Sequence, residues 1–356
     1  MKKLDNLHYS FRAIDGYNKP LNFILSPREL GKTTMFWLNK VYKPWKKNHK
    51  PWILLVRTCV EITEALIDSV QDTILNEFTN DNVKLEYNKG SFKDGIVDIK
   101  IKGYNFIRII SLSIPMRRIK LAVLKDAEGA FMDEYIVNPK FAEKYQPKEA
   151  EKIKEAYTTW RRAYTGKTIF KMYFLANPYS LYNPLFMDWK VDVNNLKRDS
   201  FYVGDIFVIH WAILSNELKE HLLKVNPFYK FDEDYTAYAL EGKAVNDTNI
   251  KIKSFPEGFK LRFVFKMDKK YLGVFFNDNI CYNEEEDRYY CKAVDEVSAK
   301  RVIYCFDFAE MVERCQILDL EERFKLKAFK DALKRGLVSF EDINIYYMIM
   351  EVYQAI

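Results

Sequence analysis

One nine-residue stretch of this 356-residue chain carries the residue types that hold a polyphosphate: Ser26-Pro27-Arg28-Glu29-Leu30-Gly31-Lys32-Thr33-Thr34. It follows a strand-like apolar run, LNFIL (21–25), and precedes the amphipathic pattern MFWLNKVY. A phosphate loop needs an abrupt strand end, backbone N–H groups curled around oxygens, a lysine at the terminal phosphates and a hydroxyl for Mg²⁺. Gly31 permits the close approach, Lys32 is the phosphate lysine, and Thr33 is the Mg²⁺ ligand. A helix starting near Lys32 would aim its positive end at the same phosphates. ATP and Mg²⁺ are the expected ligands, with residues 26–34 as the nucleotide-binding segment. Ser26 departs from the usual motif, which has glycine there. Arg28 either steadies the γ-phosphate or faces solvent.

Hydrolysis requires a second acid beside the metal and a carboxylate that orients the attacking water. The segment GAFMDEYIV offers Asp133 for the metal and Glu134 for the water, directly after apolar strand residues. The strand-like run TIFKMYFLA ends at Asn177-Pro178. Asn177 there either contacts the γ-phosphate and reports hydrolysis or is an ordinary Asn-Pro turn residue. Arg161 and Arg162 close the helical pattern KEAEKIKEAYTTWRR, where cations suit the helix dipole in any case. The functional alternative makes one of them an arginine finger for a neighbouring subunit's ATP.

These residues need a scaffold that brings strand ends together. Strand-length apolar runs at 21–25, 52–56, 129–132, 168–176 and 201–209 alternate with helical patterns such as TTMFWLNKVYKPW and EITEALIDSVQDTILNEF. That alternation predicts an α/β domain with a mainly parallel sheet, carrying an antiparallel hairpin over 96–114. Helical segments at 215–224 and 232–242 read as a linker subdomain. Beyond Pro256 the pattern turns to β (FKLRFVFKM, YLGVFF, RYYCKAV, KRVIYCF) and closes with two helices, the second opened by Ser339 at capping-box spacing from Asp342. The expected division is 1–213, 214–256 and 257–356.

Composition narrows the class. Hydrophobic residues make up 48% and aromatics 16%, yet no run of 18 uncharged apolar residues occurs, which describes a globular chain without a membrane span. Lys2 and Lys3 lead into polar sequence rather than an apolar signal segment, so export is not expected. Five cysteines with no C-x-x-C pair suggest a reducing compartment and no structural metal. The net charge of +6 is uneven: residues 1–60 hold twelve Lys and Arg against three acids, which suits a polyanionic partner or a solvated basic face.

The loop PRELGKTT, the strand and helix ILLVRTCVEITEALIDSVQDTI with Arg57, Asp68 and Ser69, the basic segment, the acid pair and Asn177 occur in an order that resembles the large terminase ATPases that package viral DNA. Among these it resembles the small packaging ATPases of phi29-like podoviruses, and the resemblance covers about residues 20–250. YALEGKAV resembles the linker joining ATPase to nuclease in terminases. The resemblance implies an ASCE-type P-loop ATPase followed by an RNase H-like domain, acting as a homo-oligomeric ring, expected to be a pentamer, on double-stranded DNA at a capsid portal. A packaging RNA is a further expected partner, and the host cytoplasm, with transient residence on the procapsid, is the expected location. Expected DNA contacts are Lys46 and Lys47, with Lys43 and Lys50, in the segment YKPWKKNHKPW, and Arg117, Arg118 and Lys120; solvated loops are the alternative for the first group.

The C-terminal part departs from the terminase pattern. No acid interrupts its opening strand, Asp268 falls at a hairpin turn, Asp307 with Glu310 has capping spacing, and Asp278 and Glu296 lack evident partners. A vestigial, inactive nuclease is the expectation. The competing readings are a helicase or partition-type DNA-dependent ATPase, and a non-enzymatic module with a degenerate loop.

Overall fold

The structure, a computed structural model, describes residues 8–355 other than 139–144, 167, 182, 245–249, 268–269, 281–285, 296, 298–301, 306–314 and 318–325. The chain divides into two units, Met1–Val245 and Asn246–Ile356. The apolar runs of the first unit become strands β1 (Leu21–Leu25), β2 (Trp52–Val56), β3 (Ile96–Ile101), β4 (Tyr104–Ser111), β5 (Gly129–Asp133), β6 (Lys171–Ala176), β7 (Ser200–Val203) and β8 (Phe207–Trp211). Their order in one sheet is β3-β4-β2-β5-β6-β1-β8-β7. Pairings among β4, β2, β5, β6, β1 and β8 are parallel, while the edge pairs β3/β4 and β7/β8 are antiparallel. Both faces are covered, so β1 and β2 are buried along their whole length and read as continuous apolar runs.

The covering helices alternate with the strands as expected. α1 starts at Lys32–Met35, continues with π-type bonding through Phe36–Tyr42, and ends as Lys43–Asn48. α2 (Glu64–Asp68) likewise passes into a π-type stretch, Ser69–Asn76. α3 is Met116–Leu121 and α4 is Glu149–Ala163. Phe36, Trp37 and Phe131 anchor the core on one face of the sheet; Phe23, Phe174 and Trp160 anchor it on the other.

Three local readings are corrected. The run 201–209 is two strands rather than one, because Gly204-Asp205 supplies turn chemistry and the chain folds back there, the Gly204 N–H donating to Phe207 O at 2.9 Å. The lysine-rich segment after Tyr42 is helical to Asn48, since Trp45 is buried and donates its indole N–H to Asn105 O at 2.8 Å. Ser339 opens no helix. It lies buried in the strand Val338–Phe340, and Asp342 is the cap that accepts from the Ile345 N–H at 3.0 Å.

The segment expected as a linker is shared between the units. Its helices α5 (Asn216–Val225) and α6 (Glu233–Ala239) belong to the first, and Lys251–Ile252 is a strand of the second. That second unit holds β9 (Lys251–Ile252), β10 (Lys260–Met267), β11 (Lys270–Phe276), β12 (Tyr289–Val294), β13 (Ile303–Cys305), β14 (Cys315–Ile317) and β15 (Val338–Phe340), ordered β14-β13-β10-β11-β12-β15-β9. An antiparallel meander β10-β11-β12 flanked on the β10 side by parallel β13 and β14 is the RNase H-like strand order. Helices α7 (Lys327–Lys334) and α8 (Ile343–Ala355) complete it, with Phe329, Ile345 and Ile349 in the core. Asp278 is exposed, and Asp268, Glu296, Asp307 and Glu310 lie outside the described residues.

Candidate nucleotide-binding site

The candidate phosphate loop begins as an extension of β1, the Ser26 N–H donating to Ala176 O at 3.1 Å. The side chain of Ser26 is fully buried and turns back on the loop, its hydroxyl donating to Pro27 O at 3.0 Å. Arg28–Leu30 forms a single tight turn, and Gly31 then takes φ +70°, a left-handed conformation that glycine adopts at little cost. A Cβ at Gly31 would also lie 2.4 Å from His8 Cδ2. The first helical bond runs from the Met35 N–H to Gly31 O at 2.9 Å, which leaves the preceding N–H groups of α1 without intrahelical partners, available to an anion.

Sheet order assembles the remaining groups. β6 lies between β1 and β5, and the register pairs Leu25 with Ala176 and Asp133 with Leu175. The tips of the three strands therefore stand side by side. Lys32, 5% exposed, donates to Asn177 Oδ1 at 2.7 Å. Burial pushes its pKa down to about 8, against opposition from the negative charges of Asp133 and Glu134 and with a small push in the same direction from Arg28. Desolvation raises the Asp133 pKa, opposed by Lys32, by a hydrogen bond from the Thr33 hydroxyl and by the Glu134 N–H at 3.1 Å. Thr33 and Asp133 are thus a bonded pair of oxygen donors. Among the described residues no three His, Cys, Asp or Glu side chains converge as a metal cage.

Glu134 is exposed and holds φ +54°, unusual for a side-chain-bearing residue. Its negative charge acts to raise the pKa values of Lys32 and of Tyr179. Arg28, exposed on the loop, is felt at the same two residues. Glu29 turns away and accepts a hydrogen bond from the Tyr229 hydroxyl at 3.0 Å. Thr34 is half-buried on the first turn of α1, and Pro27 and Leu30 are buried.

Other expected site residues are not gathered here. Arg161 and Arg162 are exposed at the end of α4, which leads to the start of β6 and hence to the end of the strands opposite the loop. Lys46 and Lys47 lie in the last turn of α1, which leads to the start of β2 at that same far end; Lys46 pairs with Asp81 at 2.7 Å and Lys50 with Glu128 at 3.6 Å. Arg117 and Arg118 are exposed on α3, which follows the tip of β4, while Lys120 is ion-paired with Glu155.

Sequence reasoning gave no role in the site to several residues that meet there. Tyr179 bonds to Asn177 and Asn138, and burial raises its pKa. Arg57, at the tip of β2, reaches the backbone around Glu134. Tyr229 and Gly242 bring the α5–α6 segment onto the loop, where a Cβ on Gly242 would lie 3.0 Å from Pro27 Cγ. The early signals were Arg57 directly after the apolar run WILLV and the segment YALEGKAV that holds Gly242.

A parallel α/β sheet with a strand inserted between the phosphate-loop strand and the acidic strand defines an ASCE-type P-loop fold, here followed by an RNase H-like unit. Known structures share this architecture. The chain is similar to the Phi-28 gp11 DNA packaging motor, with a TM-score of 0.62 and 15% identity over 99% of this chain and 98% of that one. It is similar also to the bacteriophage Phi-29 viral genome packaging motor assembly, with a TM-score of 0.56 and 19% identity over 98% and 99% of the two chains. At these identities the likeness establishes the fold. The sequence matches no family model, and no curated protein matches it significantly.

Proposed function

We propose that this chain is an ATP-hydrolysing motor that drives double-stranded DNA into a preformed viral capsid. The observation that carries the ATPase reading is the meeting of Lys32, the Thr33–Asp133 pair, Glu134 and Asn177 at adjoining strand tips. Lys32 and the α1 terminus receive the β- and γ-phosphates. Thr33 and Asp133 suit Mg²⁺, a hard cation that takes oxygen ligands and, when bound, neutralises phosphate charge. Glu134 orients the attacking water, and Asn177, bonded to Lys32, relays the state of the γ-phosphate. Arg28 steadies that phosphate from the loop.

The packaging reading is supported by a fold likeness to DNA packaging motors that spans nearly the whole of each chain. In a homo-oligomeric ring of five, Arg161 or Arg162 of one subunit serves the ATP of the next, which fits their distance from the loop of their own chain. Lys46, Lys47, Arg117, Arg118 and Lys120 grip phosphates without reading bases. The portal and a packaging RNA are the partners at the procapsid in the host cytoplasm, and the RNase H-like unit does not cleave.

The test combines two readouts. ATP turnover should rise with linear duplex DNA and vanish in both Lys32→Ala and Glu134→Gln, and procapsids should protect DNA from nuclease only with the wild-type chain. Persistent turnover in either variant would overturn the site assignment. Unwinding of a forked duplex with no DNA protection would assign the same site to a helicase.

A further inference from the structure

The candidate phosphate loop carries a carboxylate of its own. Glu29 sits in the single turn Arg28–Leu30, just ahead of Gly31 and Lys32. A negative charge there repels a triphosphate in proportion to how closely it approaches, so where the carboxylate is held matters to binding. A glutamate has three rotatable side-chain bonds, and on a loop it needs a partner to hold it in one place.

That partner is the Tyr229 hydroxyl, which donates to Glu29 Oε1 at 3.0 Å. Tyr229 lies between α5 and α6, 200 residues along the chain, and is only 4% exposed. Its ring stacks on Tyr235 with centroids 5.4 Å apart, and its carbonyl accepts from the Thr236 hydroxyl at 2.8 Å. Tyr229, Ala239 and Leu240 share one buried core with Leu30 of the loop. Farther on, the Trp211 indole N–H donates to Gly242 O at 3.0 Å where Gly242 packs over Pro27. The hydroxyl is therefore a fixed donor. Burial, reinforced by the bond to Glu29, raises the Tyr229 pKa, so the hydroxyl keeps the proton that it donates to the charged acceptor. The turn thus leaves its cation, Arg28, exposed and fastens its anion.

We propose that Tyr229 is a positioning residue for nucleotide binding: it ties the Glu29 carboxylate back against the α5–α6 segment and so keeps the loop's own negative charge off the triphosphate. Tyr229 acts on the phosphates only through Glu29. The inference rests on the reading of Ser26–Thr34 as the phosphate loop.

The experiment uses the full-length chain with Tyr229→Phe, Glu29→Gln, Glu29→Asp, the double variant Tyr229→Phe/Glu29→Gln, and Lys32→Ala. Affinities for ATP and ADP are measured by displacement of a fluorescent ATP analogue at about 50 mM and about 500 mM salt. Tyr229→Phe removes one oxygen and frees the carboxylate. Relative to wild type it should bind ATP at least about three-fold more weakly at low salt, with a smaller loss at high salt and for ADP. In the Glu29→Gln background the same change should shift affinity by less than about 1.5-fold, because no negative charge is left to release. Glu29→Asp keeps the charge but is a methylene too short to meet the hydroxyl, and should weaken ATP binding more than Glu29→Gln does.

A tyrosine that merely packs the segment onto the loop would give a loss in Tyr229→Phe that is equal at both salt concentrations and persists in the Glu29→Gln background. That result, or wild-type ATP affinity in Tyr229→Phe, overturns the proposal. Should Tyr229→Phe fail to fold, Glu29→Asp against Glu29→Gln carries the comparison, and equal affinities there overturn it. Wild-type affinity in Lys32→Ala sinks the phosphate-loop reading itself, and that variant alone tells the two failures apart.

Discussion

Raising the pH should detach ATP from this protein through one lysine. Lys32 is 5% exposed, and burial holds its pKa near about 8 in the ligand-free chain. A bound triphosphate favours the charged ammonium and restores its proton affinity. Affinity that depends on the charged form is therefore complete below about pH 8 and is lost as the pH climbs through that value. One-proton linkage makes the apparent Kd about ten-fold weaker at pH 9 than at pH 7, or about 1.4 kcal/mol. Stability of the ligand-free chain moves the other way. The unfolded lysine titrates near about 10.4, so between about 8 and 10.4 the unfolded state holds more protons and this group's contribution to stability increases with pH. Titration with a fluorescent ATP analogue at pH 7, 8 and 9, beside Lys32→Met, isolates the lysine. Thermal melts of both proteins without nucleotide give the opposing trend. A Kd that stays flat from pH 7 to 9, or a slope that survives in Lys32→Met, would refute the reasoning.

Asn177→Ala removes the acceptor 2.7 Å from the Lys32 ammonium, so the midpoint of the same pH profile should move to lower pH and ATP turnover should fall; an unmoved midpoint would mean that this bond does not support the charge. Gly31→Ala must hold φ +70° with a methyl 2.4 Å from His8 Cδ2, and should cost at least about 1 kcal/mol in urea unfolding and weaken ATP binding; wild-type values in both would contradict the loop geometry. His210, whose Nδ1 meets the Tyr9 hydroxyl at 2.8 Å and whose ring stacks on Phe201 at 3.9 Å, is held neutral by burial with its pKa lowered to about 4. Its stabilising contribution is present above about pH 6.5 and is lost as the pH falls toward 4, so unfolding at pH 4.5 should show about 2–3 kcal/mol less stability than at pH 7, a difference that shrinks in His210→Phe. An equal acid loss in that variant would remove His210 as the cause.

The sequence by itself determined whatever has local causes. A strand stop, a glycine, a lysine and two threonines lie within one loop, so Ser26–Thr34 could be read as a candidate phosphate loop, in which the Ser26 side chain turns inward to Pro27 O. Asp133 and Glu134 could be read as a candidate acid pair because a carboxylate after a buried strand stands at the strand's tip. Turn chemistry was legible in kind but not in place: Gly204 folds what looked like one strand into two, and the helix cap belongs to Asp342 rather than to Ser339.

Only the tertiary structure decided which tips become neighbours. Nothing local in TIFKMYFLA says that β6 inserts between β1 and β5, yet that insertion is what sets Asn177 on Lys32. Arg57 finds its partners 77, 78 and 92 residues away, and Tyr229 meets Glu29 across 200. Contacts at such separations follow from how buried strands share a sheet and how helices cover it. A periodicity records which face of an element is apolar, and does not say which other element will cover that face.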